Sequence, residues 1–180
     1  VGQGQCVLVY SGGSCTLVDC GSANSWYDPG TIAADTLYSM GCGRLEHLVL
    51  THYDTDHISG VETLLSRIDV ETLVVPGLPD SAAGNALLEA AREQGTQVQI
   101  LREETVWDLG ASTLTVYPPL GDGESNEAGL SILCSSGDFD LLITGDMDSN
   151  TEEQLLSTYD LPDLEALVVG HHGSKYSTSE

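Results

Sequence analysis

The sequence predicts a mixed α/β fold in which the sheets are covered on both faces. Three observations predict it. Short runs rich in Leu, Val and Ile recur along the chain, each bounded by Gly, Pro or Asp, as strands are. Segments with helical spacing lie between several of these runs. The runs are apolar on both faces rather than alternating, which suits sheets enclosed between other layers. The 180 residues can bury a sizeable core, and no linker, repeat or low-complexity tract divides them, so residues 1–180 read as one domain.

Strands at 5–10 (QCVLVY) and 14–19 (SCTLVD) flank Ser11-Gly12-Gly13, a hairpin turn, and the second ends at Asp19. A helix at 31–40 follows from Ala33, Leu37 and Met40, with Gly41 suited to the position after its end. The strand at 46–51 runs into Thr51-His52-Tyr53-Asp54-Thr55-Asp56-His57. A helix at 59–67 is marked by Val61, Leu64 and Leu65, with Ile68 just beyond, and one at 81–94 by Leu87, Leu88 and Ala91, closed by Gly95. Strands at 71–76, 97–101 and 112–117 precede a polar stretch at 121–127 that reads as a surface loop. The strand at 130–135 turns through Gly137-Asp138 into one at 139–144, which ends in Gly145-Asp146. Ser149, with Glu152 three positions on, reads as a capping box opening a helix at 150–158. The last strand, 164–169, ends in Gly170-His171-His172.

The charge balance is extreme. Five Lys and Arg stand against 28 Asp and Glu, a net charge of −23. That field opposes nonspecific binding to nucleic acid or anionic membranes. No apolar run approaches the ~18 residues of a membrane span, so the chain itself is not expected to insert. The five cysteines are odd in number and form no C-x-x-C. Cys6, Cys15 and Cys134 lie in apolar runs and read as small hydrophobes rather than ligands or disulfide partners.

The chemistry gathers at strand ends. His52, Asp54, Asp56 and His57 place two imidazoles and two carboxylates within six residues, and such side chains bind divalent cations through nitrogen and oxygen. On an extended chain His52, Asp54 and Asp56 share one side, and His57 joins them only if the chain turns, which Gly60 permits. The carboxylates repel one another unless something neutralises them, and two cations would. A solvated polar loop is the plain alternative. Asp146 can bridge two ions, His171 and His172 can complete the set, and Asp19 is placed to hold a ligand imidazole in one tautomer. Ser174 and Lys175, directly after the His pair, can contact an anionic substrate; an ordinary surface Lys is the alternative.

Thr51-His52-x-Asp54-x-Asp56-His57, followed by Gly60, resembles the metal motif of the metallo-β-lactamase superfamily. With Val1-Gly2-Gln3-Gly4, Leu142-Ile143-Thr144-Gly145-Asp146 and Val169-Gly170-His171-His172-Gly173-Ser174-Lys175, the chain is similar to the hydrolase domain of ComEC-type DNA-internalisation proteins. The resemblance implies a four-layered αββα sandwich with a binuclear site at one edge. It implies His52, Asp54, Asp56, His57 and Asp146 as ligands of two Zn²⁺ or Mn²⁺ ions; His171 is expected as a further ligand, with Asp56 and His172 in catalysis and Asp19 behind them, and His172 or a His absent from this chain is the alternative for completing the second site. It also implies phosphodiester hydrolysis, single-stranded DNA as the partner despite the acidic surface, and a membrane channel region outside this chain. The expected location is then the extracytoplasmic face of the membrane; a stand-alone hydrolase would be cytoplasmic. The chain departs from the pattern at Gln5, where an acidic residue is usual, and at Ala128, where a polar one is. Its ends look trimmed relative to the family, which continues into further strands with another His.

Three functions compete. One is a nuclease of the ComEC type. The second is a stand-alone hydrolase of small phosphodiesters or thioesters, which an acidic surface suits better. The third is a metal-binding module without turnover, which the departures at Gln5 and Ala128 leave open.

Overall fold

A computed structural model describes residues 1–24, 26–120 and 128–178. Strands β1 (Val7–Ser11) and β2 (Ser14–Val18) form the expected hairpin, with Gly12 and Gly13 at its turn and both at positive φ. β3 (Arg44–Val49), β4 (Asp69–Val75) and β5 (Gln97–Ile100) extend this sheet in the order β1-β2-β3-β4-β5. β1 and β2 are antiparallel, and every later pair in this sheet is parallel. The second sheet has the order β10-β9-β8-β7-β6, from β6 (Thr105–Asp108), β7 (Thr113–Tyr117), β8 (Ser131–Ser136), β9 (Phe139–Ile143) and β10 (Ala166–Val168). β10 joins β9 in parallel and the rest is an antiparallel meander.

Alternation along each strand divides the apolar side chains among three cores. Leu17, Leu48 and Leu73 of the first sheet pack outward with Leu37 of α1 (Pro29–Ser39), Leu64 of α3 (Val61–Leu65) and Leu88 of α4 (Ala82–Glu93). Their neighbours Val18, Val49 and Val74 face the other way, onto Leu114, Val116, Ile132 and Ile143 of the second sheet. Leu133 and Leu142 pack beyond that sheet with Leu155 of α5 (Ser149–Thr158). Helices, sheet, sheet and helix therefore form four layers, as the resemblance implies. Burying one such Leu or Val stabilises the fold by roughly 1.5–3 kcal/mol, so all three seams matter.

Four local expectations are corrected. The helix expected at 59–67 is present but shorter, as α3, and an unexpected short helix, α2 (Thr55–Ile58), precedes it, the two separated at Gly60. There Gly60 and Gly30 cross backbone to backbone, and a Cβ on Gly60 would lie 2.3 Å from the Gly30 nitrogen. β6 was not expected; Val106 is exposed on this edge strand, so its apolar content is thin. Asp148, rather than Ser149, caps α5, accepting the Thr151 N–H at 2.8 Å, and a carboxylate also suits the positive helix start. Cys15, read as a lone hydrophobe, is bridged to Cys42, tying β2 to the chain just beyond α1. Both cysteines are buried in the outer core; their 27-residue separation and the odd cysteine count hid the pairing. The loop expected at 121–127 lies outside the described residues.

Candidate metal centre

The strands β2, β3 and β4 run parallel, so the segments that follow β2 and β3 leave the sheet at one edge. Asp19 follows β2 in a left-handed conformation (φ 57°), which Asp tolerates better than most residues. Its fully buried carboxylate accepts from Gln5 Nε2 at 2.8 Å, Thr51 N–H at 2.8 Å and Thr51 Oγ1 at 2.7 Å. It also lies 2.8 Å from His57 Nδ1. A carboxylate accepts, so His57 keeps a proton on Nδ1 toward Asp19, and once the ring is neutral its Nε2 lone pair faces away from Asp19. Thr51 Oγ1 has given its hydrogen to Asp19 and lies 3.0 Å from His52 Nδ1, so His52 is placed to donate there and to free Nε2 in the same way.

Those two freed nitrogens meet Asp146, which follows β9 through Gly145. His57 Nε2 is 3.0 Å from Asp146 Oδ1, and His52 Nε2 is 3.7 Å from Asp146 Oδ2. Yet among the described residues His52 Nε2, His57 Nε2 and Asp146 Oδ1 are buried with no well-aligned hydrogen bond, the close approach of the last two included. Such atoms are costly to leave unsatisfied, and a cation would satisfy all three. Two groups of donors form around Asp146: His52, Asp54 and Asp146, and Asp56, His57, Asp146 and His172. Within each, the donor atoms lie within 4.8 Å of one another. His172 Nε2 is 2.9 Å from Asp56 Oδ2. The donors are nitrogen and oxygen only, a set that suits Zn²⁺ or Mn²⁺, and Asp146 belongs to both groups.

The electrostatics agree with this reading. For His57, burial disfavours the charged ring, but the Asp146 and Asp19 carboxylates outweigh burial and lift its pKa to about 10. Burial and the neighbouring His57 lower that of His52. For Asp146, burial pulls upward but the His57 ring prevails and lowers it. The cavity therefore favours a positive charge among these groups, and metal binding would displace the proton.

Backbone geometry explains how the donors converge. The chain is extended only as far as Asp54 and turns helical at Thr55, so Asp56 and His57 reach the cavity from the first turn of α2 rather than from an extended run. Gly21 lets α2 approach: a Cβ there would lie 2.3 Å from the Asp56 carbonyl carbon. Gly145 (φ 58°) passes so close to Thr51 that a Cβ would meet its side chain at 2.8 Å. His171 and His172 both adopt left-handed backbone (φ 51° and 53°) in the 3-10 turn Gly170–Gly173, an uncommon conformation for non-glycine residues that is found at functional sites.

Of the residues singled out in the sequence, His52, Asp54, Asp56, His57, Asp146 and His172 line this cavity, and Asp19 stands directly behind it. His171 is more exposed; its Nε2 reaches only to 3.9 Å from Asp146 Oδ2 and it belongs to neither donor group. Ser174 closes the 3-10 turn, its N–H donating to the His171 carbonyl. Lys175 is exposed, its Nζ 4.7 Å from the centre of the Tyr176 ring. Gln5 and Thr51 were not given roles from sequence, although both hold Asp19. The sequence marks Gln5 only as a departure from an acidic position; as an amide it can donate to Asp19 where a carboxylate would repel it.

The metallo-β-lactamase superfamily model matches residues 1–180. The chain belongs to the metallo-β-lactamase superfamily. ComE operon protein 3 of Bacillus subtilis is 31 % identical over 147 residues, which cover 80 % of this chain and 19 % of that protein. Recombination protein 2 of Haemophilus influenzae is 32 % identical over 186 residues, covering 100 % and 21 %. Competence protein ComA of Neisseria gonorrhoeae is 29 % identical over 177 residues, covering 93 % and 23 %. The superfamily chain thus spans about a fifth of the curated relatives it matches. Zn(2+)-bound PqqB from Methylobacterium extorquens shares the fold at TM-score 0.59 and 14 % identity, over 92 % of this chain and 59 % of that one. The metallo-β-lactamase fold protein YhfI from Bacillus subtilis shares it at TM-score 0.56 and 18 % identity, over 92 % and 62 %. Superfamily membership and the donor cluster together make a metal-dependent hydrolase the coarse assignment.

Proposed function

We propose that this domain is a binuclear phosphodiesterase that cleaves single-stranded DNA during DNA uptake. The observation that carries the reading is the shared carboxylate: Asp146 belongs to both donor groups, and three buried ligand atoms there lack a well-aligned hydrogen bond among the described residues. His52, Asp54 and Asp146 would hold one Zn²⁺ or Mn²⁺ ion, and Asp56, His57, Asp146 and His172 the other. Two bound ions supply Lewis acidity to a phosphoryl oxygen. Asp19 and Thr51 fix the imidazoles for that role. Asp56, partly exposed, can take up or deliver a proton on the solvent side through the carboxylate oxygen that no ion would occupy, and His172, 2.9 Å away, would then serve that chemistry as an ion's ligand.

The uptake role draws on the names of the relatives, two of which are competence or ComE operon proteins. The chain spans about a fifth of those relatives, and we place a membrane channel region outside it. The Cys15–Cys42 disulfide favours the extracytoplasmic face, because such bonds persist in oxidising compartments. Among the described residues no helix is long and apolar enough to cross a membrane.

A second reading, hydrolysis of small neutral or zwitterionic esters, is favoured by the net charge of −23, which repels a polyanion. The test is hydrolysis of single-stranded DNA, bis-p-nitrophenyl phosphate and a thioester by protein loaded with Zn²⁺ or Mn²⁺. Cleavage of both phosphodiesters supports the nuclease. Turnover of the thioester or of the small diester alone supports the second reading, and no turnover of any substrate overturns both.

A further inference from the structure

A groove of about 630 Å³ opens from the His52 and Asp54 side of the cavity and continues along the same edge of the first sheet. Its walls include Tyr53, Pro76 and Leu78 after β3 and β4, Arg102 after β5, and Pro118 after β7. The volume lies within the roughly 300–1,000 Å³ of small-ligand sites.

Two features make this more than a gap between loops. Part of the wall, from Pro76 to Pro79 with Tyr53, Pro118 and Pro119, is stiff and largely apolar. Proline fixes its own φ, and the Tyr53 hydroxyl donates to the Gly77 carbonyl at 2.6 Å, holding the ring against the loop after β4. Leu78 stands at the groove with 69 % of its surface exposed. The second feature is charge. Arg44 and Arg67 are tied to Glu71 and Asp35. Arg102 is the one cationic side chain among the described residues of the groove, and it has no ion pair among the described residues. Asp80 and Asp54 also line the groove, so the guanidinium is a local exception in an acidic surface.

The geometry points to a subsite for the nucleotide next to the scissile phosphate, with Arg102 binding a second phosphate of the same strand. This rests on the phosphodiesterase reading above. β3 and β5 lie two strands apart, so the ends that carry His52 and Arg102 are separated by roughly 10 Å, two interstrand spacings. The long Arg side chain shortens that gap for a neighbouring phosphate, and its planar fork matches two phosphate oxygens. The apolar walls accept the face of an unpaired base. A duplex keeps its bases stacked inside, so the occupant is single-stranded DNA. Arg102 is then a specificity-determining residue: it favours polynucleotides over diesters with a single phosphate.

The test compares wild type with Arg102→Gln and Arg102→Lys, both metal-loaded, in two assays. The first is hydrolysis of single-stranded oligothymidylate and of bis-p-nitrophenyl phosphate. The second is equilibrium binding of a cleavage-resistant phosphorothioate oligothymidylate. In Arg102→Gln the oligonucleotide KM should rise about tenfold with kcat little changed, as for loss of one charge-assisted phosphate contact. The bis-p-nitrophenyl phosphate kcat/KM should stay at the wild-type value, Arg102→Lys should recover part of the binding, and the salt slope of binding should fall by about 0.7. An unchanged oligonucleotide KM, or an equal loss on both substrates, overturns the subsite and leaves the phosphodiesterase standing. Binding that depends on Arg102 without cleavage of either substrate overturns the phosphodiesterase and leaves the groove. Neither binding nor cleavage by wild type overturns both.

Discussion

Asp19 shows how one buried carboxylate can organise a site it need not touch. Four groups meet its two oxygens, from Gln5, from Thr51 twice and from His57, and all of them belong to buried residues. Asp19→Ala would strand all of them, and a loss of about 3 kcal/mol or more in denaturant unfolding is expected. Asp19→Asn keeps the size but can turn an amide N–H toward His57; metal affinity should fall about 10- to 100-fold while the fold persists, as read by metal titration. His57 makes a second prediction. In chelated protein its pKa is raised from 6.5 to about 10. The stabilisation is therefore fully present below about pH 6.5 and is lost as pH rises toward 10. Urea unfolding of metal-free wild type and His57→Gln should show a wild-type advantage at pH 6 that shrinks by pH 9.5; a constant difference contradicts it. At this scale the sequence was legible where side-chain identity suffices, as for the His and Asp residues of the 52–57 segment. It could not separate His171 from His172, because a consecutive left-handed pair sends two adjacent side chains in directions that neither helical nor strand periodicity anticipates. Nor could it find the Gln5 contact, which depends on the start of the chain folding back beside Asp19.

Among the elements, the short helix α2 decides whether Asp56 and His57 reach the cavity. Gly21 seats it, and Gln5 N–H and Cys20 N–H donate to the carbonyls of Asp56 and His57, each within 3.0 Å. Gly21→Ala should push α2 outward, lowering metal affinity and costing about 1–3 kcal/mol, the usual range for overpacking. Unchanged metal binding in that variant would show that α2 tolerates displacement. The disulfide closes a 27-residue separation around α1, and loop-closure entropy gives such a bond about 3 kcal/mol. Replacing both Cys15 and Cys42 by Ala should lower stability by about that amount and leave the metal site loaded. The long apolar strands were legible because burial on both faces leaves an unbroken run. α2 was not, because four residues fall short of a helical repeat, and β6 was not, because an edge strand with one exposed apolar residue carries little pattern.

For the molecule as a whole, layered architecture and charge pull the function in different directions. Two sheets bring the ends of β2, β3 and β9 to one edge, so ligands far apart in sequence can share two ions. The net charge of −23 repels the proposed polyanion everywhere except near those ions and Arg102. Binding of single-stranded DNA should therefore weaken only shallowly with salt, since few counterions are released, while salt also screens the repulsive field over about 8 Å. A steep decline would mean that a basic surface outside this domain carries the DNA. The most direct test of the binuclear account is metal content measured beside DNA cleavage, in wild type and in Asp146→Ala. Two ions per wild-type chain, with both content and cleavage collapsing in Asp146→Ala while the far-ultraviolet circular dichroism stays native, is the predicted result. Undiminished cleavage by Asp146→Ala, or by wild type stripped of metal, would contradict it.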